Sequence, residues 1–189
     1  MFKKMPVIET NRLILREIDY RDVDDMFEYA SLPFVGPSAG WPPHTSKIET
    51  KLVIQSFIDK VRRNQPGVFA VVLKEENKMI GTVELHSYYP NHKAELGYTI
   101  SPYYWGQGFA TEASKAVIKW GFEDLNLKRI ECLSFVDNYQ SLRVCEKLGF
   151  KFECIRRKGY LRYDGNVFDV KFYVMTDDDY NELKKQFKY

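Results

Sequence analysis

The stretch Tyr103-Tyr104-Trp105-Gly106-Gln107-Gly108-Phe109-Ala110-Thr111-Glu112-Ala113 decides how the rest of the chain is read. Just before it, Ala94-Glu95-Leu96-Gly97-Tyr98-Thr99-Ile100 has the character of a strand. Just after it, Ala110, Ala113, Val117, Trp120 and Gly121 recur at three- and four-residue spacing, which marks one face of a helix. Two glycines therefore sit where a strand hands over to a helix. The first four amides of a helix have no internal partner, and that end is partly positive. Glycines let a ligand come close to those amides, so the stretch predicts a seat for phosphate or pyrophosphate. A plain tight turn has the same glycine pair. Neither a third glycine at dinucleotide spacing nor a Gly-Lys-Ser/Thr is present, so those two fingerprints are excluded.

The chain has 189 residues, 44% of them hydrophobic and 15% aromatic, enough for one domain (1–189) with a sizeable core. Its formal net charge of +2 gives no argument for nucleic acid or a membrane surface. The longest apolar run, Val68 to Leu73, is far shorter than the roughly 20 residues of a membrane span. Met1-Phe2-Lys3-Lys4-Met5-Pro6 has no apolar stretch behind its lysines, so no signal peptide is expected. Cys132, Cys145 and Cys154 form no Cys-x-x-Cys pair and are expected to be reduced, in a cytoplasmic protein. With three scattered histidines, no metal site is expected. The sequence leaves a homodimer open.

In chain order, Arg12 to Ile18 reads as a strand, and Asp19 can cap a helix carrying Val23, Met26, Phe27 and Ala30. Pro33, Gly36, Pro37, Gly40, Pro42 and Pro43 predict a loop around Trp41. A second helix carries Ile54, Phe57, Ile58 and Val61 and ends before Pro66-Gly67. Such a helical insertion either closes over a cleft or only connects two strands. Val68 to Leu73 and Met79 to His86 predict a hairpin, and Tyr88 to His92 a longer turn. After the fourth strand and its glycine turn, Lys128 to Val136 reads as a fifth strand and Ser141 to Leu148 as a short helix. Gly149 stops that helix as a left-handed cap. Phe150 to Ile155 begins a sixth strand, Asp164-Gly165 is a turn, and Val167 to Met175 is the seventh strand. Thr176-Asp177-Asp178-Asp179 caps a terminal helix, with Lys184, Lys185 and Lys188 at its other end. The order predicts a single mixed α/β domain.

A second stretch, Asn138-Tyr139-Gln140-Ser141-Leu142-Arg143-Val144-Cys145-Glu146-Lys147-Leu148-Gly149-Phe150, follows the first at about 30 residues. Together with Trp105-Gly106-Gln107-Gly108-Phe109-Ala110 it resembles the GNAT superfamily of acetyl-CoA-dependent N-acetyltransferases. Glu9-Thr10-Asn11-Arg12-Leu13-Ile14-Leu15-Arg16 and Ala94-Glu95-Leu96-Gly97-Tyr98 look like the branch that acetylates N-terminal amines of ribosomal proteins. The resemblance extends over nearly the whole chain. It implies a twisted, mixed seven-stranded sheet flanked by helices, with the fourth and fifth strands splayed apart. Two departures stand out. Trp105 occupies the place of a Gln or Arg, and Cys145 the place where many relatives carry the tyrosine that protonates the leaving thiolate.

The resemblance further implies roles. Amides of Gln107, Gly108, Phe109, Ala110 and Thr111 would hold the pyrophosphate of coenzyme A, with Gly106 and Gly108 required to be small. The pantetheine arm would lie along Tyr98, Thr99 and Ile100 like an added strand, with Asn138 facing it. An asparagine there also reads as a helix cap. Transfer of an acetyl group to an amine needs an unprotonated amine, donors for the oxyanion and a proton for the thiolate. Glu95 is the first candidate for the base and Glu84 the second. Ser141 is the first candidate for the acid and Cys145 the alternative. Trp41, His86, Tyr88, Tyr89, His92 and Tyr160 are candidates to line the acceptor site. The leading expectation is transfer from acetyl-CoA to a primary amine, above all a protein or peptide N-terminus. A small-molecule amine acetyltransferase and a non-catalytic acyl-CoA-binding module are the alternatives.

Overall fold

In the computed structural model, which describes residues 5–187, the run Val68–Leu73 forms a strand, β3, buried at every position. Burial on both sides explains its unbroken hydrophobicity. Phe69, Val71 and Leu73 join one core cluster, while Val68, Ala70 and Val72 join another on the opposite face. Met1 to Lys4 and Lys188, which carry expectations made above, lie outside the described residues.

The other strands are β1 (Ile8–Glu9), β2 (Leu13–Glu17), β4 (Lys78–Tyr89), β5 (Lys93–Ile100), β6 (Arg129–Phe135), β7 (Lys151–Leu161) and β8 (Val167–Thr176). The helices are α1 (Val23–Ala30), α2 (Val35–Ala39), α3 (Lys47–Arg62), α4 (Phe109–Glu123), α5 (Tyr139–Leu148) and α6 (Asp177–Leu183). One sheet runs β1-β2-β3-β4-β5-β6-β8-β7. Residues of α4 and α5 pack on the face of Phe69 and Val71, and residues of α1 and α3 on the face of Val68 and Ala70.

The sheet has eight strands rather than the expected seven. The extra one, β1, is two residues long, too short for alternation to reveal it. The segment 35–39, expected as loop, forms the short helix α2. Pro37 lies in the first turn of α2, where its missing N–H costs nothing. Asp19 does cap, but it caps the 3-10 turn Tyr20–Asp22 that leads into α1. β4 continues through Tyr88 and Tyr89, past an irregularity after His86 where Ser87 has φ +49°. The expected ends hold elsewhere: Gly149 terminates α5 with φ +87°, and Thr176 with Asp179 forms a capping box for α6.

All neighbouring strands are antiparallel except β5 and β6. That parallel pair is joined by α4 and is short: Lys93↔Arg129, Ala94↔Ile130 and Glu95↔Glu131. Beyond Glu95 the two strands part, β6 staying with β8 and β5 with β4. The wedge between them is the splay expected of the fourth and fifth strands.

Candidate active site

The closed end of the wedge is built from charged side chains. His86, Glu95 and Glu131 stand side by side across β4, β5 and β6. Glu131 is buried and held by Lys93 at 3.2 Å and Arg129 at 2.8 Å. Glu84, two residues along β4 from His86, is ion-paired with Lys60 of α3. Glu95 differs: its neighbour is His86, with Nε2 at 3.8 Å from Oε1. Burial pushes the Glu95 carboxyl above its ordinary range, and Glu131 adds to this, against the pull of His86, Arg156 and Lys93. The two candidate bases are therefore in different states, one locked to a lysine and one left basic.

On the opposite face of β5, Tyr98 reaches across to α5. Its hydroxyl lies 2.9 Å from Ser141 Oγ, where either oxygen can donate, and 3.3 Å from the Ser141 carbonyl, which can only accept. Burial first, then the thiols of Cys132 and Cys145, push the phenol well above its ordinary pKa. Cys145 is fully buried, and its Sγ donates to Cys132 Sγ at 3.1 Å. Of the two candidate acids, Ser141 is half-buried beside the wedge and Cys145 lies in the core. Asn138 caps α5, its Oδ1 accepting from the Ser141 amide at 3.2 Å.

The open end is the glycine turn. Trp105 folds back, its indole N–H donating to the Ile100 carbonyl at 2.6 Å. Gly106 and Gly108 have φ of +76° and +83°, the left-handed region that costs other residues about 1–2 kcal/mol. A Cβ on Gly106 would meet nothing within 4 Å, and one on Gly108 only Arg12 Nη2 at 3.7 Å. The backbone bend, not crowding by the protein, requires these glycines. Gly108 occupies the N-cap of α4 and supplies no side-chain acceptor to the amides of the first turn. Those amides are available to an anion, as the pyrophosphate reading needs.

An unforeseen brace holds the turn from β2. Arg12 Nη1 donates to the Gln107 carbonyl at 3.0 Å, and its guanidinium lies 4.2 Å from the Phe109 ring centre. In a trans peptide the carbonyl and the next amide point opposite ways. Arg12 thus aims the Gly108 amide away from itself. Arg12 in turn is gripped by Glu112, which accepts from its backbone N at 2.9 Å, its Nε at 2.7 Å and Thr10 Oγ1 at 2.6 Å. Burial alone would raise the Glu112 pKa, but these donors hold it below the ordinary value. No local signal marks this brace, because its members lie about 100 residues apart in sequence.

The early helical insertion does cross the wedge. Phe34 meets Trp105 edge-on at 6.1 Å, the Ser38 carbonyl accepts from Asn138 Nδ2 at 3.1 Å, and the Gly40 carbonyl accepts from Tyr160 at 3.4 Å. Gly40 has φ +94°, and a Cβ there would lie 2.2 Å from the Tyr160 hydroxyl, so a larger residue would strain the turn and displace Tyr160. Residues 34–41 form a strap linking the glycine turn, the start of α5 and β7. Trp41 and Tyr160 belong to this cover and His86 to the wedge. Tyr88, Tyr89 and His92 lie instead at the end where β5 and β6 remain paired, and do not line it.

A family model described as "Acetyltransferase (GNAT) domain" matches residues 12–151. The uncharacterized N-acetyltransferase p20 of Bacillus licheniformis is 32% identical over 177 residues, 93% of this chain and 99% of that one. The ribosomal-protein-serine acetyltransferase of Escherichia coli is 29% identical over 146 residues, 75% of this chain and 78% of that one. The crystal structure of an acetyltransferase (GNAT family) from Bacillus anthracis superposes with a TM-score of 0.82 at 26% identity, covering 92% of this chain and 99% of its own.

Proposed function

The chain belongs to the GNAT acetyltransferases, and from that premise we propose that it acetylates the N-terminal α-amine of a protein or peptide. The observation that carries this reading is Glu95. It is the wedge carboxylate with neither a lysine nor an arginine at ion-pair distance among the described residues. One basic carboxylate suits one amine. A polyamine, with several cationic centres, would find Glu84 and Glu131 already paired. An α-amine has a reference pKa of about 7.7–8.0, against about 10.4 for lysine, so at neutral pH it needs only a modest base. The E. coli relative, named for a ribosomal protein, adds weight on the same side.

In this reading Glu95 takes the proton of the attacking amine, directly or through water, with Glu84 the second candidate. The amides of Gln107 to Thr111, in the glycine turn and the start of α4, seat the pyrophosphate of acetyl-CoA, and the turn at Gly106 and Gly108 leaves space for it. The edge of β5 that β6 leaves uncovered, at Tyr98, Thr99 and Ile100, receives the pantetheine arm. Backbone amides of the same strand serve the oxyanion, and Ser141 supplies the thiol proton, with Cys145 the alternative. Asn138 acts by holding the start of α5.

The test is acetyl-CoA turnover on peptides with free N-termini, the same peptides with blocked N-termini but free lysines, and spermidine. Turnover of the free peptides alone is expected. Turnover of spermidine in preference to both would overturn the acceptor assignment. Tight acetyl-CoA binding without turnover of any amine would leave a coenzyme-binding module.

A further inference from the structure

We infer that Tyr98 is a positioning residue that sets the Ser141 hydroxyl for proton delivery to the leaving sulfur. The inference rests on the reading of Ser141 as the acid and adds a residue to it.

A serine in the first turn of a helix ordinarily turns its hydroxyl to solvent or to a nearby carbonyl. Ser141 is instead met from another element. Tyr98 projects from β5 past the last β5–β6 pair, and its oxygen stands 2.9 Å from Ser141 Oγ. The titratable groups facing the phenol are Cys132 from β6 and Cys145 from α5. A phenol is protonated at neutral pH at its ordinary pKa of about 10, and burial and both thiols push further the same way. A protonated phenol must place its hydrogen on an acceptor. The Cys145 thiol spends its hydrogen on Cys132 at 3.1 Å, and its sulfur is a weaker acceptor for the phenol than an oxygen. Ser141 Oγ at 2.9 Å is nearer than the Ser141 carbonyl at 3.3 Å.

Once Tyr98 donates into Ser141 Oγ, the serine's own hydrogen must point elsewhere. Donation into an oxygen also strengthens that oxygen as a donor. The step then balances without an alkoxide. As the C–S bond of the tetrahedral adduct breaks, its electron pair stays on sulfur. The Ser141 proton passes to sulfur and the Tyr98 proton passes to Ser141 Oγ. The proton that Glu95 took from the amine returns through water to the phenol, so no buried phenolate persists.

The experiment is steady-state kinetics of Tyr98→Phe, Ser141→Ala and the double variant, each checked for a native melt. Tyr98→Phe should lower kcat about tenfold, the worth of one good hydrogen bond, with the acetyl-CoA KM unchanged. The double variant should be no slower than Ser141→Ala. If Tyr98→Phe is as fast as wild type while Ser141→Ala is slow, the inference falls and the acid assignment stands. If Ser141→Ala is as fast as wild type, the acid assignment itself falls. If the two losses multiply in full, Tyr98 acts independently of Ser141 and the inference falls. Should Tyr98→Phe fail to fold, Tyr98→3-fluorotyrosine keeps the shape with a more acidic phenol. The alkaline limb of kcat should then move to lower pH. An unmoved limb overturns the inference.

Discussion

The two ends of the wedge are made in different ways. The glycine turn is shaped by its backbone: two residues with positive φ, a helix start without a side-chain cap, and a guanidinium that turns one peptide plane. At the closed end, side chains do the work, and their identities are ordinary. What sets Glu95 apart from Glu84 and Glu131 is not its type but its neighbours. The first end is specified by conformation and the second by register. Each can be disturbed while the other is left standing.

The largest effect is expected from Glu95→Gln, which removes the proposed base and keeps the shape. Turnover should fall about 100- to 10,000-fold, with acetyl-CoA affinity retained. Stability should move the other way. Burial raises the folded-state pKa of Glu95, so its favourable contribution is complete below the unfolded-state value. That contribution is lost as pH rises through the raised one. The glutamine variant should therefore melt higher than wild type at pH 7 and lose that advantage near pH 4, as calorimetry at the two pH values will show. A variant equally slow but less stable at pH 7 would mean that Glu95 is held by partners rather than left basic.

A smaller and complementary effect is expected at the other end. Arg12→Ala frees the Gln107 carbonyl and leaves Glu112 without its main partner. Acetyl-CoA affinity should drop about tenfold, with kcat at saturation nearly unchanged, since a charge-assisted hydrogen bond contributes about 1.5–3 kcal/mol. Calorimetric titration separates this from a fold defect. Loss of kcat with affinity intact would break the division between the two ends.

These two residues also show what can be read from sequence. The glycine turn was legible because left-handed backbone selects glycine wherever it occurs. β3 was legible because burial on both faces leaves nothing polar to interrupt it. Arg12 was visible only as a strand residue, since its partners Gln107 and Glu112 are brought to it by the fold. Tyr98 likewise looked like a strand residue offering its backbone, because the partner of its hydroxyl is on α5. The helix α2 was hidden by Pro37 and Gly40, residues that fit a helix at its first turn and just past its end. The full length of β7 was hidden by the irregularity between Arg156 and Tyr160, where Lys158 takes φ +51° and the alternation breaks.

The smallest effect should come from Asn138, which ties the strap to the start of α5. Its Oδ1 caps α5 and its Nδ2 holds the strap at Ser38. Asn138→Asp keeps a good cap but has no donor for the Ser38 carbonyl. The acceptor KM should rise a few-fold while the melting temperature stays close to that of wild type. Asn138→Ala loses both contacts and should cost about 1 kcal/mol of stability as well. Equal melting losses for the two variants would show that the strap, not the cap, carries the stability.

The short β5–β6 ladder has a mechanical meaning. Three residue pairs join the β1–β5 half of the sheet to the half made by β6, β8 and β7. Every other seam between long strands is stitched over more of its length. The protein is in this sense two plates sharing a brief hinge line, with α4 and the strap as tie-rods across it. A substrate lying in the gap would act as the missing stitching, so the enzyme is stiffest when loaded and most compliant when it must let the product go.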